Sequence, residues 1–192
     1  MTSLIEMIRR LHDGVFGAVE TITAGWFLGL FSRFVIAATL YVYYLNSAKT
    51  KIGDGLLGMF EVTDSAYIQI AGKAFEAAGY EASALPLPAH IMVYAGTYGE
   101  FILPVLVIIG LFARVGAVGM IAFVFVQTYV DATGHGVALG TLFNGQPGEI
   151  LDQRLFWITP LIYVAVKGPG LISLDTLISR WWNARLTGPL PA

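Results

Sequence analysis

The sequence predicts an all-α polytopic membrane protein, in which a bundle of four transmembrane helices is flanked by amphipathic helices at the membrane surface. Of the 192 residues, 56% are hydrophobic and only 12% are charged, which is about half the charge that a soluble domain carries. Four separate apolar stretches each approach the ~20 residues needed to cross a ~30 Å hydrocarbon layer. They cover residues 25–47, 89–111, 113–132 and 154–172.

The first 24 residues predict an amphipathic helix rather than a span. Between residues 3 and 20, apolar side chains recur at helical spacing, while Arg9, Arg10 and Asp13 fall mostly between them. A helix with one apolar face and one charged face lies in the membrane interface. Residues 173–192 predict a second interfacial helix with a tail, because apolar residues near one face of that segment include the pair Trp181 and Trp182.

The four apolar stretches define a membrane domain over residues 25–172. The second and third are separated only by a short glycine-containing turn, so they should form an antiparallel hairpin. The loop at 48–88 is long and acidic, and its stretch AYIQIAGKAFEAAGY has helical character. Lysine and arginine are more frequent in the segments on the opposite side of the membrane from this loop. This bias places both termini in the cytoplasm and the 48–88 loop outside it.

Two charged side chains lie inside the predicted spans. Glu100 is near the middle of the second span and Arg33 is in the first. An ionised carboxylate at the bilayer centre costs roughly 3 kcal/mol on insertion scales, so Glu100 should face the interior and pair with Arg33. Three interpretations stay open: a structural pair that fixes helix register, a functional polar site, or an Arg33 that turns to the interface while Glu100 is satisfied separately.

Other polar residues add to this candidate intramembrane site. Tyr94 and Tyr98 share a face of the second span, and Gln127 lies in the third. His90 and His135 are expected on the same outer side, where two imidazoles invite a metal or haem hypothesis. Interfacial hydrogen bonding explains such residues more simply, and no recognised metal-ligand spacing is present, so we expect no metal.

Composition also limits partners and chemistry. The chain has no cysteine and a net charge of −2. Thiol catalysis is therefore excluded within this chain, and without a long basic run nucleic acid is not expected as a partner.

Several motifs together resemble the DoxX family of small bacterial membrane proteins. They are the four spans, the mid-span glutamate, the Gly-Leu-Phe-Ala-Arg turn at 110–114 and the tail Gly-Pro-Gly-Leu-Ile-Ser-Leu-Asp at 168–175. Residues 47–51, Ser-Ala-Lys-Thr-Lys, are similar to the family's Ser-Gly-x-x-Lys pattern, with Ala for Gly. The resemblance covers about residues 30–178. Its matching polar positions are Arg33, Lys51, Glu100, Arg114 and Asp175.

The resemblance implies a four-helix bundle in the bacterial inner membrane, associated with membrane oxidoreductase systems. Some relatives belong to thiosulfate:quinone oxidoreductases, and others join complexes that handle oxidative or thiol stress. We therefore expect an accessory subunit of a quinone-linked complex rather than a stand-alone enzyme. It would have no covalently bound cofactor, with a quinone as the candidate ligand and lipid and other proteins as partners. The alternative is a non-catalytic subunit that anchors or organises partner proteins, and a transporter ranks third.

Overall fold

The computed structural model describes residues 2–186, so Met1 and residues 187–192 of the predicted C-terminal tail lie outside the described residues. The described part is helical, as predicted, and forms no β-strand beyond a single bridge between Ile52 and Val62. In chain order the helices are α1 Thr2–Thr23, α2 Phe27–Lys49, α3 Gly55–Gly58, α4 Asp64–Ala77, α5 Leu87–Ile109, α6 Ala113–Thr133, α7 Ile150–Lys167 and α8 Leu174–Leu186. A π-helical turn at Ala37–Tyr41 widens the middle of α2.

Three of these helices are long and apolar enough to cross a membrane. They are α2 with 23 residues, α5 with 23 and α6 with 21. The helix α7 is shorter, with 18 residues, and three of them are charged, namely Asp152, Arg154 and Lys167. The prediction of apolar helices in a membrane protein is therefore confirmed for three spans.

The helices α2, α5, α6 and α7 share one apolar core. Its buried side chains come from all four helices and include Ile36, Leu40, Tyr44, Val107, Met120, Leu161 and Val164. The predicted hairpin of the second and third stretches is present, because α5 and α6 are joined by residues 110–112 and pack closely. A methyl group added at Gly119 would lie 2.8 Å from Leu103, so the small residue allows this close approach.

The turn between α5 and α6 depends on a left-handed residue. Gly110 ends α5 with φ 72°, a conformation that glycine adopts without a steric penalty.

We call the end of the bundle at residues 110–112 the turn end, and the opposite end, at residues 50–86, the loop end. The helix α7 extends between them. Arg154 near its start contacts Asp131 at the loop end, and the N–H of Asp175, beyond its last turn, donates to the Gly110 carbonyl at the turn end.

The loop between α2 and α5 is an ordered cover for the first half of α5. A second apolar cluster joins Tyr67 and Phe75 of α4 to Val93 of α5. The side chain of Ile70 also packs so closely on Gly96 that a methyl group there would lie 2.9 Å away. This loop covers the part of α5 that extends past the end of α2 at the loop end.

The terminal helices are exposed in this chain. Every side chain of α1 from Ser3 to Ile22 is exposed. The apolar residues of α8 are exposed too, and the guanidinium of Arg185 stacks 3.8 Å above the ring centre of Trp181.

Candidate functional site: a cavity beside a buried lysine–glutamate pair

The partner of Glu100 is Lys51. The ammonium Nζ lies 2.9 Å from Oε2 and 3.2 Å from Oε1 of Glu100, and it also donates to the hydroxyl and the carbonyl of Ser47. The Ser47 hydroxyl donates to Oε1 at 3.1 Å. The side chains of Lys51 and Glu100 are 3% and 7% exposed, so this ion pair is buried and every hydrogen of the ammonium has an acceptor.

The predicted contact between Arg33 and Glu100 is wrong, for a reason of depth. Because α5 extends past α2 at the loop end, Glu100 lies level with Ser47, near the end of α2, and not level with the middle of that helix. Arg33 instead meets Val107 and Ile108, seven and eight residues further along α5. At a rise of ~1.5 Å per residue that separates the two charges by about 10–12 Å along the helix.

Arg33 is bound by main-chain oxygens at the turn end. Its Nε donates to the carbonyls of Val107 and Ile108 at 3.1 and 3.0 Å. Nη2 donates to Ile108 as well, while Nη1 donates to Pro169 and Ile172 in the segment after α7. The C-terminal carbonyls of a helix carry partial negative charge and lack helical partners. The 7% exposed guanidinium therefore neutralises the end of α5 and connects three parts of the chain.

Asp175 performs the complementary role at the start of α6. Its Oδ1 accepts from the Phe112 N–H at 2.7 Å, and its Oδ2 accepts from the Ala113 N–H at 3.0 Å. A carboxylate on the first free N–H groups of a helix is a stabilising cap. Arg114, by contrast, is exposed and makes one long hydrogen bond, 3.4 Å, to the Lys167 carbonyl. Arg33 and Asp175 therefore stabilise the turn end, and all three of these family positions lie outside the cavity described below.

We predict that Asp175→Ala lowers the free energy of unfolding by about 1–2 kcal/mol, the usual cost of losing a helix cap. The measurement is unfolding in lipid nanodiscs by steric trapping. Asp54→Ala is the matched control, since Asp54 precedes the short α3 without a capping hydrogen bond, and it should change stability by less than about 0.5 kcal/mol. Equal effects of the two substitutions would contradict the capping role.

A cavity of about 440 Å³ lies between α5 and α6 on the loop-end side of the bundle. Ser47, Lys51 and Glu100 line it, and the glycines and alanines of the two helices leave the space open. The full lining is Tyr43, Ser47, Lys51, Gln69, Ile70, Met92, Ala95, Gly96, Glu100, Gly119, Ala122, Phe123, Val126, Gln127, Val130, Asp131 and His135. The wall is thus largely apolar, with a cluster of polar groups toward the loop end.

Gln127 lines this cavity, whereas Arg33, which the sequence analysis grouped with it, does not. Its amide nitrogen donates to the Tyr43 hydroxyl at 2.7 Å, and its amide oxygen accepts from the Tyr44 hydroxyl at 3.3 Å. One turn further, the Oδ2 of Asp131 accepts from Nη2 of Arg154 at 2.8 Å. Arg154 also lies 4.2 Å from the ring centre of Trp157, and its Nε and Nη1 have no partner among the described residues. Two buried or half-buried ion pairs therefore flank the polar end of the cavity.

Tyr94 and Tyr98 do not line the cavity. Tyr94 is 44% exposed, and the Tyr98 hydroxyl donates to the Met59 carbonyl of the covering loop at 3.3 Å. The two rings lie next to each other, with centroids 6.3 Å apart and planes tilted by 44°. Tyr98 and Tyr94 precede Glu100 by two and six residues. In an α-helix these spacings place side chains on different faces, so both tyrosines point away from the face of α5 that carries Glu100.

The two histidines both hydrogen-bond to α4, His90 from the first turn of α5 and His135 from the loop after α6. His90 Nδ1 lies 2.9 Å from the Tyr67 hydroxyl, whose pKa is raised by burial, so this hydroxyl stays protonated at ordinary pH. His135 Nε2 donates to the Gln69 carbonyl at 3.0 Å and lines the cavity, whereas His90 does not. Within residues 2–186, no group of three or more His, Asp or Glu side chains is arranged to hold a metal ion.

From the sequence, the partner of Glu100 was sought among the charged residues inside the spans, and Lys51 was therefore missed. It lies two residues beyond the end of α2, so it was not considered as a partner for an intramembrane carboxylate. Its spacing of four from Ser47 was visible, and that spacing lets the lysine extend back along the last turn of the helix to a serine that also contacts Glu100.

Comparison with known families identifies the family of this chain. Residues 30–133 match the DoxX family, which is more than half of the 192-residue chain. The chain is therefore a membrane protein of the DoxX family, as its sequence motifs indicated. The match includes Arg33, Lys51 and Glu100, while the Gly-Pro-Gly tail at 168–175 lies beyond it. No curated protein and no solved structure matches the chain.

Proposed function

We propose that this DoxX protein is an integral membrane subunit of a quinone-linked redox complex, and that its cavity binds a small lipid-soluble ligand with a quinone-like head group. The observation that carries the proposal is the open cavity against the buried Lys51–Glu100 pair. Ionisable residues inside membrane segments are costly and are retained where a ligand or ion is handled.

The residues of the cavity fit such a ligand. Its volume falls within the roughly 300–1,000 Å³ of small-molecule sites, which is room for one ring system and the start of a chain. A ring would lie against apolar side chains such as Phe123 and Val126, and its polar substituents would face Gln127, Asp131 and His135. A quinone supplies electron transfer when bound, and the residues of this chain would bind and orient it and separate it from water.

The second candidate is a non-catalytic subunit that anchors or organises partner proteins. Its support is the exposed apolar face of α1, with Leu4, Ile8 and Leu11 among its side chains, and the Trp181–Trp182 pair of α8. In both candidates we expect these helices to lie at the cytoplasmic interface, where tryptophan and amphipathic helices concentrate.

We also propose that α7 is the fourth span, with both termini in the cytoplasm of the inner membrane. Since the chain has no cysteine, single cysteines at the exposed positions Phe112, Phe143 and Trp182 can be labelled from each side of the membrane. We expect Phe143→Cys to be labelled from outside, and Phe112→Cys and Trp182→Cys from the cytoplasm. Labelling of positions 143 and 182 from the same side would show that α7 does not cross.

Ligand binding can be tested with a substitution that fills the cavity with a larger side chain. Ala122 lines it, and Val118, one turn away on the same exposed side of α6, does not. We predict that Ala122→Phe, purified from native membranes in mild detergent, loses a lipid-soluble compound that mass spectrometry detects with the wild-type protein. Val118→Phe should retain it.

Proteins that co-purify with these variants distinguish the two candidate functions. A redox subunit should keep its oxidoreductase partner in all three preparations, while quinone-dependent activity of the complex falls in Ala122→Phe alone. If Ala122→Phe retains the same lipids, partners and activity as the wild-type protein, the ligand function is wrong and the anchoring function stands.

A further inference from the structure

We propose that the cavity selects a neutral, lipid-soluble ligand whose head group donates a hydrogen bond through a hydroxyl, in preference to the same head group without that hydrogen. The proposal rests on the proposed function, since it specifies which ligand the same cavity takes. For a redox-active ring, the preferred form is the reduced one, which carries hydroxyls where the oxidised form carries carbonyls.

The position of the cavity opening, between the apolar helices α5 and α6, favours a lipid-soluble ligand. Met92 and Ala95 of α5, and Ala122 and Val126 of α6, line the cavity and are also exposed on the outer surface of these two membrane helices. The cavity therefore opens sideways between two helices that are long and apolar enough to cross a membrane, and the proposed route into it is from the lipid. A ligand that arrives by this route partitions into lipid first, which excludes strongly hydrated ions.

The charges around the cavity cancel, which favours a neutral ligand. The ammonium of Lys51 and the carboxylate of Glu100 neutralise each other at 2.9 Å, and Asp131 is paired with Arg154 at 2.8 Å. A cationic or anionic head group would bring an unpaired charge into a largely apolar space, where its desolvation has no compensating partner.

The hydrogen-bond donors of the cavity are mostly occupied. Lys51 directs its ammonium to Ser47 and to both oxygens of Glu100. His135 uses Nε2 on the Gln69 carbonyl, which can only accept, so this nitrogen carries the proton. Gln127 uses one of its two N–H groups on the Tyr43 hydroxyl. Among the side chains that line the cavity, what remains to donate is one amide N–H of Gln127 and the hydrogen of the Tyr43 hydroxyl. The unpartnered Nε and Nη1 of Arg154 belong to a side chain outside this lining.

The acceptors, by contrast, are available. Asp131 accepts from Arg154 through Oδ2, and its Oδ1 makes no hydrogen bond within residues 2–186. The Nδ1 of His135 is an acceptor in the neutral ring and has no partner there either. Oε2 of Glu100 accepts only from Lys51 and keeps lone-pair capacity. Ionised acceptors form stronger hydrogen bonds than neutral ones, so a ligand hydroxyl gains more here than a ligand carbonyl.

The test compares two compounds that differ in one hydrogen-bond donor and do not undergo redox chemistry. They are para-heptylphenol and its methyl ether, added at equal mole fractions to nanodiscs of phosphatidylcholine that contain the purified wild-type protein. Binding is measured by native mass spectrometry and by the rise in unfolding temperature. We expect the phenol to bind about tenfold more tightly, the effect of one hydrogen bond to a charged acceptor. This comparison needs no substitution in the protein.

Ala122→Phe and Val118→Phe separate failure of this inference from failure of the proposed function. The phenol should bind Val118→Phe as it binds the wild-type protein, and should not bind Ala122→Phe. If both compounds bind equally and Ala122→Phe binds neither, the cavity is a ligand site without preference for a hydroxyl, and the inference is overturned while the proposed function stands. If neither compound binds, or if Ala122→Phe binds both, the proposed function is overturned as well.

Discussion

We expect Lys51→Met to destabilise the protein by about 3–5 kcal/mol, the usual cost of removing one partner from a buried ion pair. Methionine has a similar length and no charge, so Glu100 keeps the Ser47 hydroxyl as a donor but loses its counter-ion. Steric trapping in nanodiscs measures the free energy of unfolding. Lys49→Met is the matched control: Lys49 is exposed at the end of α2, and its replacement should change stability by less than about 0.5 kcal/mol. Equal effects of the two substitutions would contradict the role of the pair.

The double variant Lys51→Met/Glu100→Met separates stability from function. Replacing both charges with apolar groups of similar volume is often neutral or stabilising, so this variant should recover to within about 1 kcal/mol of the wild-type protein. If the cavity is a ligand site, the double variant folds but loses para-heptylphenol binding and quinone-dependent activity of the complex. If the chain only anchors partners, the double variant retains its partner proteins and the activity of the complex.

The second large effect is expected for Arg33→Met, which should lower the free energy of unfolding by about 2–5 kcal/mol because it removes the donors of several buried carbonyl groups. The affected oxygens belong to the end of α5 and to the segment after α7. Arg33→Lys should fall between the wild-type protein and Arg33→Met, since one ammonium cannot span the acceptors that the planar guanidinium reaches. The same unfolding measurement in nanodiscs provides the values.

The control for this prediction is Arg114→Met. Arg114 lies at the same end of the bundle but is exposed, with a single hydrogen bond of 3.4 Å, so its replacement should cost less than about 1 kcal/mol. If Arg114→Met is as destabilising as Arg33→Met, the contacts of Arg33 with the carbonyls do not explain its contribution to stability. Any loss of an arginine at the turn end would then have the same cost.

The sequence predicted the helices well because their signals are local. Apolar stretches of about 20 residues indicate membrane helices, and the short turn at Gly110 predicted the α5–α6 hairpin. The helical stretch in the 48–88 loop appeared as α4. The family followed from motifs that are read along the chain, and two of its polar positions, Lys51 and Glu100, form the buried pair.

The site was harder to predict because its contacts depend on depth and on backbone atoms. The pairing of Arg33 with Glu100 assumed that α2 and α5 start and end at the same level. In fact α5 continues beyond α2, where α4 covers it, so Glu100 meets Lys51 instead. The acceptors of Arg33 are carbonyl oxygens, which every residue has, and no residue type identifies them. The placement of Tyr94 and Tyr98 in the site did not allow for the face of α5 that Glu100 occupies.

The binding of Arg33 by main-chain oxygens also has a consequence for biosynthesis. The arginine is translated early, whereas its acceptors Pro169 and Ile172 follow 136 and 139 residues later. At about 5–20 residues per second, the ribosome needs roughly 7–28 s to supply them. For the last part of that interval the first membrane helix holds a charge that has only two of its four carbonyl acceptors, those of Val107 and Ile108. A chain released before residue 169 therefore lacks both of these acceptors and the Asp175 cap, so its first membrane helix retains a guanidinium that cannot reach its full set of carbonyls.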